Sequence, residues 1–293
     1  MSAIGDERIK RFATKGNQAL LDLMPLHASL KEIEAEHNHR RALMLISTEC
    51  LGRSQTMYYL MLGLRLWDAE IVVRALWEGT VKLAYILEKP STLNERLIEF
   101  SEVLPAISKL RWHGKAEEAL AALGDDGSLG KQPYRDMILS PDELSETRLK
   151  YPREVRRQVE GRWGFTELVT AISKPGGAFG PVGRSSLHRY MVSSHLIHMT
   201  YEGVDMPLER DQRSPERREA LRVSHAARLA SDCFELAFLR VGAIRRFLNQ
   251  PVSDLFEIRK RHEELFEDLA KAMDAFSQTE YGGPSTPPSS TVS

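Results

Sequence analysis

Cysteine and β-strand patterns are both scarce in this chain. Only two cysteines, Cys50 and Cys233, occur in 293 residues, and they stand far apart. This usage excludes a disulfide framework or a cysteine-based zinc module and is typical of a reducing compartment. Sustained apolar–polar alternation is missing, and no Asn-Gly or Asp-Gly pair joins two β-branched runs. We therefore expect an all-α protein without β-sheet.

Net charge and long apolar runs are lacking as well. The chain has 40 Lys and Arg against 41 Asp and Glu, a formal net charge of -1, so it has no overall attraction to nucleic acid or anionic membranes. No apolar run reaches the roughly 18 residues that a membrane span needs, and residues 1–12 lack the apolar core of a signal peptide. We expect a cytoplasmic protein that does not enter membranes.

Helical periodicity, in contrast, is widespread. It predicts a single helical-bundle domain over residues 17–278, preceded by a flexible N-terminus over residues 1–16. Residues 279–293 are rich in Pro, Ser, Thr and Gly, which indicates a disordered tail. Residues 173–183, rich in glycine, and 204–215, which contain proline, predict flexible connections.

Specific residues predict where some helices begin and how the last ones pack. Ser140-Pro141 with Glu143 predicts a helix start, with serine as N-cap and proline in the first helical position. Two long C-terminal helices are expected, at about 215–249 and 252–277. Seven positions of the second, six of them apolar, have heptad spacing, which predicts packing onto the bundle or a dimer contact; they are Leu255, Ile258, His262, Leu265, Leu269, Ala272 and Phe276.

Two helical stretches carry polar residues inside apolar runs. The first, residues 71–87, places Arg74 and Glu78 four apart, where they can pair with each other. The second, residues 187–203, is expected to form one helix with several polar side chains: His188, Arg189, Tyr190, Ser194, His195, His198 and Glu202. A charge in a buried helix is costly unless it is paired. These residues therefore indicate either a structural polar network or a functional site.

The structural alternative is a network that fixes helix register. Tyr190, Ser194, His198 and Glu202 form a stripe along the second helix, because each is four residues from the next. With Arg74 and Glu78 they would form a supporting polar network in which His198 is buried against the first helix. The protein would then be a non-catalytic helical scaffold or binding protein.

The catalytic alternative uses Arg189, His195 and His198. A histidine can exchange a proton near neutral pH, and an arginine can hold a phosphate through its planar guanidinium. Together they supply the groups needed to cleave RNA with its own 2′-hydroxyl as nucleophile. Arg189 and His195 differ by about 240° around the helix, so either Arg189 reaches around the helix or a second chain completes the site. Arg156 and Arg184 are candidates for holding the RNA backbone.

Metal and cofactor chemistry receive little support. His195, His198 and Glu202 could supply metal ligands from one helix, but the His-Glu-x-x-His spacing is missing and no second helix offers an obvious His or Cys. The glycine-rich segment 173–183 lacks the Gly-Lys-Ser/Thr ending of a phosphate-binding loop. We expect no metal and no cofactor.

Several of these residues resemble known helical families. The segment Arg74-Ala-Leu-Trp-Glu78, Trp163, and Tyr190-x3-Ser194-x3-His198 together resemble a bacterial all-helical family of unknown function, across about residues 40–240. Arg189-x5-His195 more loosely resembles the motif of the HEPN superfamily, although Tyr190 stands where that motif commonly has a small polar residue.

The HEPN resemblance implies an all-α HEPN-like bundle and a metal-independent RNA endonuclease that acts as a homodimer, in a toxin or phage-defence setting. In that case Arg189 would hold the scissile phosphate and His195 would transfer the proton. This is the leading prediction from the sequence, and the non-catalytic scaffold is its alternative.

Overall fold

The computed structural model describes residues 3–174 and 182–282, with side chains from residue 187 onward in the second range. Over these ranges every regular element is helical, so the all-α prediction is confirmed. The α-helices are, in chain order, α1 Ala3–Leu23, α2 His37–Leu62, α3 Leu66–Ile86, α4 Leu93–Ile98, α5 Leu104–Leu123, α6 Gln132–Arg135, α7 Pro141–Lys150, α8 Arg153–Arg162, α9 Phe165–Ile172, α10 Val182–Ile197, α11 Tyr201–Gln212, α12 Pro215–Phe247, α13 Ser253–Arg261 and α14 Glu263–Tyr281. Short 3-10 helices lie at Met24–Glu32, Pro90–Thr92 and Leu129–Lys131, and a π-helix lies at Glu99–Val103.

The core forms around α12, whose 33 residues correspond to about 50 Å of helix. It packs against α1, α3 and α14, while α2 packs against α1 and α3. Small residues on α12, among them Ala226, Ala227 and Ala230, are buried there and allow close helix packing. The buried apolar side chains form one contiguous cluster, as expected of a single core.

The N-terminus differs from the expected flexible segment 1–16. Residues 3–23 form α1, and its Ile9 and Phe12 are fully buried against the rest of the core. The apolar residues of this short segment recur at helical spacing, and their burial stabilises α1. At the other end, residues 279–281 continue α14, while the rest of the expected tail (283–293) lies outside the described residues, as do residues 175–181 of the glycine-rich connection.

The expected single helix over residues 187–203 is wrong, because α10 ends at Ile197 and α11 begins at Tyr201. Met199 adopts a positive φ of 50° between them, and the Thr200 hydroxyl accepts a hydrogen bond from the Gly203 N–H as the N-cap of α11. The connection expected over residues 204–215 is also wrong for most of its length. Residues 201–212 form α11, with Pro207 inside it.

The single last helix expected at about 252–277 is wrong, because α13 ends at Arg261 and α14 begins at Glu263, with His262 between them. Other local signals predicted the structure correctly. Ser140 caps α7 in a capping box with Glu143, and Pro141 is the first helical residue, as predicted. The heptad positions of the last helices point into the bundle, since Leu255, Leu265 and Leu269 are each at most 2% exposed. This favours packing onto the bundle over a dimer contact. No described helix combines the length and the apolar character required to cross a bilayer.

Candidate functional site

Tyr190 holds α10 against α3. Its hydroxyl accepts a hydrogen bond from Arg74 (2.9 Å) and donates one to Glu78 Oε1 (3.0 Å). The Arg74 guanidinium lies 4.5 Å from the centre of the Tyr190 ring, and Phe165 from α9 stacks on that ring at 3.8 Å. Arg74 also approaches Glu78 Oε1 at 3.4 Å. The structure thus brings together three residues of the predicted polar network.

A second polar cluster joins α10 to α3 and α12. The Glu70 carboxylate accepts a hydrogen bond from the Ser193 hydroxyl (2.8 Å), contacts His225 Nε2 (3.0 Å) and pairs with Arg228. Arg228 also pairs with Asp232 at 3.0 Å, and Asp232 pairs with Arg189. Helix α10 is therefore held at two levels, by Tyr190 and by this second cluster.

The second cluster balances its own charge, with two carboxylates against two guanidinium groups. Burial alone would raise the pKa of Glu70, but the Arg228 charge and the His225 contact hold it at about 2, so Glu70 is ionised. Burial raises the pKa of Asp232, an effect that Arg228 and Arg189 oppose. Burial also lowers the pKa of His225, which keeps its imidazole neutral beside the ionised Glu70.

The remaining predicted residues do not join these clusters. His195 contacts the Thr200 hydroxyl at 2.9 Å and Glu202 at 3.8 Å, while His198 is exposed in the turn after α10. Within the described part of the chain, no hydrogen bond or ion pair joins Ser194 or His198 to Arg74 or Glu78. The predicted stripe is interrupted, because the helix that carries it ends at Ile197 and Glu202 lies on α11.

The three predicted catalytic residues lie on or just after α10 but have separate surroundings. The Arg189 side chain is 40% exposed and pairs with Asp232, whereas the His195 side chain is 32% exposed and faces Thr200. Arg156 lies on α8, and the side chain of Arg184 lies outside the described residues. The described residues include no group of three or more His, Cys, Asp or Glu that could hold a metal ion.

Sequence reasoning missed most of the second cluster: Glu70, Ser193, His225, Arg228 and Asp232. Ser193, not Ser194, shares with Tyr190 the face of α10 that contacts α3, because residues three apart on a helix lie side by side. A signal was available on α12, where Arg228 and Asp232 stand four apart within an alanine- and leucine-rich run, as Arg74 and Glu78 do on α3. Such pairs inside apolar helices need partners from neighbouring helices.

The predicted residue Glu78 also lines a cleft of about 860 Å³. One wall is α2, another is α3, and the third is the segment from the π-helix to Pro105. Its apolar lining includes Leu45, Ile46, Ala75 and Phe100. Leu45 is 54% exposed, so its side chain is accessible to a ligand in the cleft. A cleft of this volume and composition is typical of sites for small molecules.

Two backbone features shape this cleft. At its floor α2 and α3 approach closely, since a Cβ at Gly79 would overlap the Cys50 sulfur. In its third wall the π-helix Glu99–Val103 buries Glu99 against Trp163, whose indole N–H donates to it at 2.8 Å. The following residue, Phe100, lines the cleft. Single π-helical turns are frequent at functional sites.

Comparison of the chain with protein-family models, with curated proteins and with solved structures finds no match. The resemblances to a bacterial helical family and to the HEPN superfamily therefore stay predictions. The geometry of the two polar clusters and the cleft is the basis for a functional assignment.

Proposed function

We propose that this protein is a non-catalytic helical binding protein that takes a small molecule with an apolar body between α2, α3 and the π-helix. The cleft of about 860 Å³ carries this proposal. Its volume lies within the range of roughly 300–1,000 Å³ that is typical of small-molecule sites.

The polar clusters support a structural role beside this cleft. Arg189, Tyr190, Ser193 and His195 all have intramolecular partners, so these four polar groups of α10 are engaged within the chain. Tyr190 and Arg74 both contact Glu78 Oε1, whereas Oε2 is directed toward Lys82 at 3.9 Å. The network thus fixes the orientation of a carboxylate in the cleft wall.

Binding of octanol tests this proposal, because octanol has an apolar chain and no charge. Calorimetric titration should show saturable binding to the wild type. Ala75→Phe should remove it by filling the cleft. Ala270→Phe is the matched control, since Ala270 lies in a separate depression beside Phe266 on α14. Equal binding by the wild type and Ala75→Phe, or no binding by the wild type, would contradict the proposal.

The second candidate is the metal-independent RNA endonuclease of HEPN-like type, acting as a cytoplasmic homodimer. The observation that favours it is the partial exposure of Arg189 and His195, together with the exposed His198 that follows them. A second chain facing α10 would have to supply the groups that these residues lack in one chain. Arg189 would also have to exchange its contact with Asp232 for one with phosphate.

RNA cleavage distinguishes the two candidates. Purified protein is incubated with mixed RNA with and without EDTA, comparing the wild type with Arg189→Ala, His195→Ala and His198→Ala. The endonuclease predicts cleavage that EDTA does not inhibit and that substitution of Arg189 or His195 abolishes. The binding protein predicts no cleavage by any variant, and a lower melting temperature for Arg189→Ala because Asp232 loses a partner.

A further inference from the structure

Arg240 is a fully buried cation with few partners. It lies on α12 with 0% of its surface exposed. One terminal nitrogen donates a hydrogen bond to the Thr80 hydroxyl at 2.8 Å. Among the residues that the structure describes, its Nε and its other terminal nitrogen have no hydrogen-bond partner. Arginine stays protonated in proteins, so a positive charge lies in the core.

This charge lies behind the floor of the cleft. Thr80, which accepts the hydrogen bond from Arg240, directly follows Gly79, and Gly79 meets Cys50 at the cleft floor. The pKa of the Cys50 thiol points to the same proximity, because burial raises it and the Arg240 charge opposes that rise. The field of Arg240 therefore reaches the cleft through a low-dielectric wall, where it is weakly screened.

The lining of the cleft is itself balanced in charge, with Glu49, Glu78 and Glu102 against Arg41, Arg53 and Lys82, so that the charge of Arg240 is in excess of it. The three carboxylates are already engaged. Glu49 approaches Arg53 at 3.4 Å, Glu78 pairs with Arg74, and Glu102 contacts His39 at 2.9 Å. Their partners reduce the repulsion that these groups exert on an anion. Arg240, in contrast, has no counter-charge among its described contacts.

We propose that the buried charge of Arg240 selects anions in this cleft, so that the ligand is an amphipathic carboxylate with its apolar chain against Leu45, Ile46 and Phe100. This inference rests on the proposed function, because it requires that the cleft bind a small molecule. A unit charge about 10 Å from an anion, at an effective dielectric of about 20, favours binding by roughly tenfold.

The test compares octanoate with octanol, which share an apolar chain and differ in charge. Calorimetric titration gives the ratio of the two affinities for the wild type and each variant. Arg240→Met should lower the octanoate-to-octanol ratio roughly tenfold and leave octanol binding unchanged. Arg240→Gln, a second charge-free variant, should do the same, and Arg240→Lys should keep the wild-type ratio. Arg259→Met removes a cation on α13 that pairs with Glu235 and should have no effect.

An unchanged ratio in folded Arg240→Met and Arg240→Gln would overturn the inference while leaving the binding function intact. Absence of binding for both probes in the wild type would instead overturn the proposed function, and this inference with it. Circular dichroism and the melting temperature of each variant establish that it is folded.

Discussion

Replacing Glu70 by glutamine tests whether the second polar cluster holds α10 in place. Glu70 is 1% exposed and contacts Ser193, His225 and Arg228. Removing one partner of a buried ion pair costs about 3–5 kcal/mol. Arg228 keeps Asp232 as a partner, so we expect the lower end, about 3 kcal/mol. For a chain of this size that corresponds to a melting temperature about 5 °C lower.

Urea denaturation followed by circular dichroism measures the free energy of unfolding of Glu70→Gln and of its control, Glu49→Gln. Glu49 belongs to an exposed ion pair with Arg53, whose loss should cost less than about 1 kcal/mol. The low pKa of folded Glu70, about 2, predicts a stability contribution that is present above pH 4.5 and is lost as the pH falls toward 2. Similar costs for the two variants would refute the role given to the cluster.

Two further predictions concern the core beside the cleft. Burial, with a smaller effect of Arg240, lowers the pKa of His27 to about 3, so between pH 6.5 and 3 the unfolded chain binds a proton that the folded chain does not. The free energy of unfolding should therefore fall by up to about 1.4 kcal/mol for each pH unit as the pH decreases through this range. Denaturation measured at several pH values should show a flatter dependence for His27→Gln, but not for the exposed control His37→Gln. Gly79→Ala should destabilise the fold by about 1–3 kcal/mol, because the added methyl group overlaps Cys50. Gly52→Ala is the control: Gly52 has open space around it, so the substitution should stabilise the fold by about 0.5–1 kcal/mol. Equal effects of the two substitutions in thermal denaturation would contradict the close approach of α2 and α3.

The helical class and several helix boundaries could be predicted because they depend on local chemistry. The capping box at Ser140 and Glu143 is complete within four residues, so no tertiary information is needed. The break after Ile197 could not be predicted in the same way. It depends on a positive φ at Met199, which few non-glycine residues adopt. The sequence around Thr200 does not distinguish an N-cap threonine from a threonine inside a continuous helix.

The candidate site was predictable only where its residues lie one turn apart on the same helix. Arg74 and Glu78 were identified because their spacing is visible in the sequence, whereas Glu70 and Asp232 meet only through the packing of α3, α10 and α12. The cleft has the same origin, since its walls come from residues 38–53, 75–82 and 100–105. Contacts between distant segments are set by the tertiary fold and have no local pattern.

The most direct test of the binding function is a crystal structure of the full chain with octanoate. We expect the octanoate chain between α2, α3 and the π-helix, in contact with Leu45 and Phe100, with its carboxylate toward the floor at Gly79. Octanoate bound elsewhere on the chain, with the cleft occupied only by solvent, would contradict this account.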